Sequence, residues 1–530
     1  MAIYRSLDEA FEAIGKYGRY QIFCFITIQY LSMAMASFMS IGYFRLGGLV
    51  PDYECQDPEN LFYLKANQVK KNTTQACLMV KSCGNLTTHN FWISIYQEFL
   101  WVCEPDRLAS TIASTQPILH IIGHVLSGHL SDYFGRKWLY VGGSTIIFLC
   151  AITEAIAPTW QIYIAINLCA SFVSTIKGSA SFPLLVETVH SKYRIVQGYA
   201  FQFSLGFIVA GVLAHYTGHW RTHLLGMALF GLPSVLLMMF FTESPRYLLQ
   251  KHKYTRAASA MNRIAWFNGS KVRFTTDDMK VLQNASVNKQ SKRRHYTVYH
   301  LFSNWRMTSW VISQMFTGIT LNIIQSVVFF NIQDLSGNPL TNVSLMGLLR
   351  LWTPFVAILL ETKYLNFGRK KLMTVSLGVV LLCFSSMFII DFLELDERFR
   401  VFGTSAVLIG YVVMTGFVWI AYKLYTTELF PTVVRSIALS TFSIASQLGS
   451  VIGPQLIYVR KYWHYAPYLG AVIVTTISLT CVIIFLPETK NKPLQDTVHD
   501  AKRRKELLGE NTEVISGLLI KDEQPSTSQR

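Results

Sequence analysis

Long apolar stretches alternate with short polar turns along this chain. Twelve of them run about 20 residues, the length a helix needs to cross roughly 30 Å of hydrocarbon at 1.5 Å per residue. They cover residues 19–43, 109–131, 138–157, 160–186, 195–217, 222–241, 307–332, 343–362, 371–391, 400–424, 432–459 and 464–486, and are numbered spans 1 to 12. The polar segment 243–306 separates six spans from six. The pattern predicts an all-α membrane protein of twelve transmembrane helices. Its expected parts are an N-terminal segment 1–18, a bundle 19–242 with a large loop 44–108, a linker loop 243–306, a second bundle 307–489, and a tail 490–530 expected to be disordered.

A repeat divides the chain in the same way. Phe134-Gly135-Arg136-Lys137 returns as Phe367-Gly368-Arg369-Lys370, and Glu187 with Arg194 seven positions on returns as Glu428 with Arg435. Glu243-Ser244-Pro245-Arg246 has a looser counterpart in Pro487-Glu488-Thr489-Lys490. A repeat this long is not a solenoid unit, so it implies two related halves. In a membrane chain such halves enclose a path.

Composition agrees, with 51% hydrophobic and 15% charged residues in 530. Soluble proteins carry about 25% charged residues. Lysine and arginine resist translocation. The segment from Pro245 to Arg306 carries thirteen of them, which makes it cytoplasmic, with both termini on that side. The loop from Phe44 to Leu108 has six basic and seven acidic residues and is external. Four of nine cysteines, Cys55, Cys77, Cys83 and Cys103, lie in that loop, where oxidation permits disulfides in any of three pairings. The sequons at Asn72 and Asn85 lie among them and are expected to be glycosylated. Those at Asn268 and Asn284 fall on the cytoplasmic side, and Asn342 lies too near the bilayer. The other five cysteines read as small buried hydrophobes. Attraction to anionic lipid accounts for the net charge of +16 without nucleic acid, and the lipid bilayer is the expected surrounding.

The turn Gly128-His129-Leu130-Ser131-Asp132-Tyr133-Phe134-Gly135-Arg136-Lys137 resembles the signature loop of the major facilitator superfamily. The resemblance implies two pseudo-symmetric six-helix bundles, with the acid and the basic pair forming a cytoplasmic latch between the halves. The second copy has Leu365 where the first has Asp132, so the latch is expected to be asymmetric. Glu187, Arg194, Glu428 and Arg435 are expected to exchange partners as helices rock. Gly128, Gly135, Glu243, Arg246 and Arg369 complete the expected gate.

Glu98-Phe99-Leu100-Trp101-Val102-Cys103, the cysteine-bearing loop, Glu243-Ser244-Pro245-Arg246-Tyr247-Leu248 and the run from Tyr425 to Arg435 narrow the likeness. Together they resemble the organic cation, anion and zwitterion transporters of solute-carrier family 22, over residues 10–495. That resemblance implies a small organic ion as substrate and no cofactor. In that family, cation carriers have an acid in span 11 twelve residues after the signature arginine, and anion or zwitterion carriers have an arginine there. Here the position is Gln447, and Trp352 falls near the position of a second cation-carrier acid. Gln202 aligns with a family glutamine facing the path.

Ionisable residues inside spans cost about 2.5 to 3.5 kcal/mol each and default to cavity positions. Lys177, Arg350 and Lys423 are the candidates, and all are basic, which tips the expectation toward anions or zwitterions. Arg350 and Lys423 fall within two turns of their predicted span ends, where snorkelling competes. Trp419, Asn322 and Gln325 supply further aromatic and amide lining. Glu154 is expected to be solvated near the outer face. No G-x-x-x-x-G-K-[ST] motif holds a phosphate, so neither an enzyme nor a primary pump is expected. The rivals are a sugar-type facilitator, since Gln314 and Gly318 resemble a sugar-carrier signature with one residue too many, and a transport-inactive receptor or scaffold. Alternating access by facilitated diffusion or exchange is the expected mechanism.

Overall fold

The computed structural model describes residues 4, 7–15, 17–43, 49–58, 61–105, 107–189, 202–290, 298–302, 304–363, 368–395, 397–430 and 435–489. All twelve predicted spans are helical over most of their described residues. Span 1 is Arg19–Tyr43, span 2 Leu108–Phe134, span 3 Arg136–Ala155, span 4 Trp160–Glu187, span 5 Gln202–Thr217 and span 6 Trp220–Met238. Span 7 is Trp305–Phe330, span 9 Arg369–Phe392, span 11 Arg435–Val459 and span 12 Ala466–Phe485. Span 8 breaks at Trp352 into Pro339–Leu351 and Thr353–Lys363. Span 10 holds a π turn, Met414–Val418, between Glu397–Val413 and Trp419–Leu429.

Among the described residues, nine helices are long and apolar enough to cross a membrane by length and composition alone. Spans 2, 5 and 8 are not among them. Span 2 is diluted by Ser110, Ser114, Gln116, His120 and His124, span 5 is described only from Gln202, and span 8 is broken. Spans 2, 5 and 8 are also helices through which the halves meet, span 2 packing on span 11 and span 5 on span 8. A helix facing a partner half or a path escapes the demand for an all-round apolar surface.

Within each half the same pairings recur. Spans 1 and 5 pack as 7 and 11 do, 3 and 4 as 9 and 10, 3 and 6 as 9 and 12. Small residues allow the closest of these approaches, as in membrane bundles generally. A Cβ on Gly206 would sit 2.6 Å from Ala36 of span 1, and one on Gly449 would collide with the Ile319 carbonyl of span 7.

The large loop departs from the all-α expectation. Three short antiparallel strands, β1 Asp52–Cys55, β2 Phe62–Leu64 and β3 Leu86–His89, form a sheet in the order β2-β1-β3. They are too short for periodicity to reveal. Interleaved disulfides pair Cys55 with Cys83 and Cys77 with Cys103 around a core of Val50, Tyr53, Val69, Val80 and Val102.

The linker is likewise more ordered than a loop. Pro245–Gln250, Tyr254–Phe267 and Thr276–Gln290 are helices. Ala257, Ala258, Met261, Ile264 and Ala265 recur at helical spacing and are buried, so Tyr254–Phe267 lays one apolar stripe on the first half. The end of that helix is tied to the start of span 1. Asn268 accepts from the Tyr20 amide at 2.9 Å and donates to the Ile14 carbonyl at 3.0 Å. This sequon asparagine is thus a structural cap. Asn342 is also buried, donating to the Ser336 carbonyl, whereas Asn72 and Asn85 are exposed. Asn268→Ala removes both contacts and is expected to cost about 1 kcal/mol, as lost helix caps do, read as a lower melting temperature in detergent or lipid.

Candidate functional site

Spans 3 and 9 begin at the membrane edge on the face carrying the linker helices, and the first amides of a helix have no partner within it. Glu243 fills that need for span 3. Its carboxylate accepts from the Arg136 amide at 3.0 Å and the Lys137 amide at 3.1 Å, and from the Ser244 amide at 3.0 Å. Gly135, at φ +92°, turns the chain there, and a Cβ on it would lie 2.5 Å from the Glu243 carboxylate. Arg136 then pairs with Glu187 at the end of span 4, which also accepts from the Ser244 hydroxyl at 2.5 Å.

The second half repeats this bond for bond. Glu488 accepts from the Arg369, Lys370 and Thr489 amides at 2.8, 3.2 and 3.0 Å. Arg369 pairs with Glu428 at 3.0 Å, and the Thr489 hydroxyl donates to Glu428 at 2.7 Å. A Cβ on Gly368 would collide with the Glu488 carboxylate. Even the lysines correspond, with Lys137 donating to the Met239 carbonyl at 3.2 Å and Lys370 to the Ile483 carbonyl at 2.8 Å.

Arg136 and Arg369 pair inside their own halves, because the carboxylates of spans 4 and 10 stand beside them. Glu187 and Glu428 are accordingly bound to those arginines and to Ser244 and Thr489. Arg194 and Leu365 lie outside the described residues, as do the side chains of Asp132 and Arg435. Arg246 pairs with Asp8 of the N-terminal helix at 2.6 Å, and among the described residues nothing lies within 4 Å of a Cβ placed on Gly128.

The polar contacts described between the halves gather on the opposite face, the one carrying the disulfide loop. Ser114 of span 2 donates to the Val451 carbonyl of span 11 at 2.9 Å, and Gln455 donates to Ser114 at 2.9 Å. Gln333 exchanges hydrogen bonds with the backbone of Val50 at 2.7 and 3.0 Å. Asp334, beyond span 7, pairs with Lys70 of the loop at 3.2 Å and with Arg460 beyond span 11. Burial alone would raise its carboxyl, but Lys70 and Arg460 outweigh that and hold it at about 2.

Between the halves lies a cationic, aromatic centre. Arg350 stands eleven residues from one end of span 8 and thirteen from the other, at mid-depth, because the helix starts at Pro339 and ends at Lys363. Arg350 is therefore farther from both ends of its helix than the two turns within which snorkelling competes. Its guanidinium lies 5.6 Å from the Phe203 ring of span 5 and near Tyr411 of span 10. The break at Trp352 and the π turn of span 10 pack together, Gly416 leaving room for Thr353, where a Cβ would come within 2.6 Å. Such interruptions concentrate at functional sites. Lys423 stacks over Trp419 at 4.7 Å. No carboxylate contact is described for Arg350 or Lys423.

Two histidines that charge and motif alone did not single out join this centre. His120 of span 2 reaches Gln447 of span 11, and His124, one turn on, lies within electrostatic range of Lys423. Their spacing of four within a serine-rich span was the available signal.

Other candidates sit elsewhere. Lys177 faces span 3, its ammonium 5.6 Å from the Tyr140 ring and its Cβ against Gly143. Trp352 is 63% exposed, in line with exposed Leu345, Leu348, Leu349 and Phe355, the kind of apolar stripe that meets lipid. Asn322 is occupied, accepting from Ser450 at 3.0 Å and donating to the Gly318 carbonyl. Gln325 is half-buried in the same span, and the side chain of Gln202 lies outside the described residues. Glu154 is buried rather than solvated, because Asn167 of span 4 donates to it at 3.2 Å.

The family model described as "Sugar (and other) transporter" matches residues 62–499. Human organic cation/carnitine transporter 2 is 27% identical over 420 residues, covering 78% of this chain and 72% of its own. An organic cation transporter-like protein of Drosophila melanogaster is 24% identical, covering 94% and 92%. A solute carrier family 22 member 15-like protein of Xenopus tropicalis is 26% identical, covering 96% and 99%. In fold, the E. coli xylose transporter XylE in a partially occluded inward-open conformation aligns with TM-score 0.60 at 15% identity, over 90% of this chain and all of that one.

The Asp334 clasp makes a pH prediction with a definite sign. A carboxyl held low contributes above its unfolded value of about 4 and is lost only as pH falls toward its folded value. Protection of residues 108–114 and 453–460 from hydrogen exchange, corrected for intrinsic rates, is therefore expected to persist in the wild type from pH 8 to pH 5. Asp334→Asn is expected to lower it throughout that range.

Proposed function

The chain belongs to the sugar (and other) transporter family and is a multi-pass membrane transporter, not an enzyme, and we propose that it carries small organic anions or zwitterions by alternating access. The observation that carries the charge assignment is Arg350. A guanidinium at mid-depth, facing Phe203 of one half and Tyr411 of the other, is costly in a low-dielectric interior, and a substrate carboxylate offsets that cost. Lys423 adds a second cation and Trp419 an apolar wall, while Gln447 offers an amide and no charge of either sign. The relative named organic cation/carnitine transporter 2 is compatible with the zwitterion part of this reading, since a zwitterion presents a carboxylate to such a centre, while its name also includes cations.

The linker face is proposed to be cytoplasmic, on its thirteen basic residues. The disulfide loop is then external, with Asn72 and Asn85 glycosylated at the plasma membrane. The doubled Glu-Gly-Arg-Glu junctions stiffen each half at the inner face, so that the halves move as bodies. Closing the outer face engages Ser114, Gln455 and the Asp334 clasp, and opening it releases them. Facilitated diffusion or exchange is the proposed coupling, since span 1 contains no carboxylate.

A sugar-type reading has one observation in its favour. Gln314 of span 7 is fully buried, with neither amide atom finding a hydrogen-bond partner among the described residues, and a hydroxylated substrate or water would satisfy them.

Uptake of a panel of organic anions, zwitterions, cations and hexoses into liposomes holding the protein separates these readings. Saturable uptake of carboxylate-bearing substrates is expected, falling at least tenfold in Arg350→Gln at equal protein content, with partial recovery in Arg350→Lys. Hexose uptake alone would favour the sugar reading, and absence of any saturable flux would leave a receptor or scaffold. In the same assay Gln447→Asp and Gln447→Arg are expected to shift the cation-to-anion uptake ratio in opposite directions; an unchanged ratio in both would remove Gln447 from the path.

A further inference from the structure

A cavity of about 740 Å³ opens on the loop face above the seam of spans 2 and 11. Its wall comes from both halves. The disulfide loop contributes Lys70, Tyr96 and Trp101, and the second half contributes Arg400, Tyr458, Arg460 and Lys461. Ser110 and Pro454 at its floor place it directly over the Ser114–Gln455 contact that joins the halves.

Its charge is one-sided. Four full cations line it, with His464 beside them, and Asp334 is the carboxylate among the lining residues. That carboxylate is bonded to Lys70 and Arg460, so among the described lining residues one carboxylate stands with four cations. Asp391 lies behind the wall, within range of Arg400, Arg460 and His464, and still leaves cations in excess. A recess with low-dielectric walls and one sign of charge focuses its field and concentrates counter-ions. The aromatic faces of Tyr96, Trp101 and Tyr458 supply an apolar surface beside those charges, the mixture that small-molecule pockets of 300 to about 1,000 Å³ employ.

We propose that this cavity is a second binding site, for an organic anion with an aromatic body, distinct from the centre at Arg350. Because the cations come from both halves, a bound anion bridges Lys70 of the first half and Arg400, Arg460 and Lys461 of the second. It therefore holds the loop face shut, and occupancy couples to the conformational cycle without passage of the ligand through the protein.

The test is calorimetric titration of 2-naphthoate into full-length protein in lipid nanodiscs, in an Arg350→Gln background that removes the central guanidinium. Saturable binding is expected, weakening at least tenfold on adding Arg400→Gln with Lys461→Gln and weakening also with rising salt. The charge-preserving pair Arg400→Lys with Lys461→Arg is expected to retain it, which separates loss of charge from loss of fold. Absence of saturable binding in the Arg350→Gln background, or equal affinity in the charge-removed and charge-preserved pairs, would overturn the proposal. Neither result bears on uptake through the centre, which the panel of substrates reads independently.

Discussion

The unpaired amides at the start of a helix need an acceptor, and at the edge of a membrane that acceptor must be built in. Glu243 and Glu488 supply it, each seated against a glycine that no other residue could replace without displacing the carboxylate. Because the carboxylate takes the backbone, the arginine side chains of Arg136 and Arg369 are left to bind Glu187 and Glu428. Spans 3, 4 and 6 of one half and spans 9, 10 and 12 of the other are thereby tied into corners of the same design. A half stiffened this way transmits a displacement at one face to the other.

What remains to move is the contact between the halves. It runs through spans 2, 5, 8 and 11, of which span 2 is too polar and span 8 too interrupted to register as spans on their own. Polarity in these helices is tolerated because they face each other and a path. On the loop face they are held by neutral hydrogen bonds at Ser114 and Gln455 and by the charged clasp at Asp334. At mid-depth they surround Arg350. Closure on one face and a cationic centre are thus properties of one interface, and an anion that neutralises the centre alters the balance of forces across it.

The sequence made the twelve spans legible because their length is dictated by the bilayer, and the two halves legible because the motif repeats. It also named Lys177, Arg350 and Lys423 as candidates from charge alone, with Lys177 foremost. Other features depend on packing that a linear pattern does not carry. Lys177 has the same charge as Arg350, but only the packed helices show that it turns to Tyr140 and Gly143. Trp352 sits two residues from Arg350 and faces the other way, which a break in the helix obscured. The partner of Arg136 is not contained in the motif, because Glu187 is distant in sequence and adjacent only once spans 3 and 4 pack. The sheet of the large loop left no signal because strands of three or four residues leave no periodic trace.

Distance distributions between spin labels test most directly whether the halves move as rigid bodies. Labels at Tyr133 and Lys251 lie within one half, and labels at Tyr133 and Lys371 lie in different halves, all on exposed positions of the linker face. Measured by pulsed electron resonance in nanodiscs, the cross-half pair is predicted to show two populations whose ratio changes with an organic anion, while the within-half pair keeps one unchanged distance. A within-half distance that shifts with substrate, or a cross-half distance that never changes, would contradict the account.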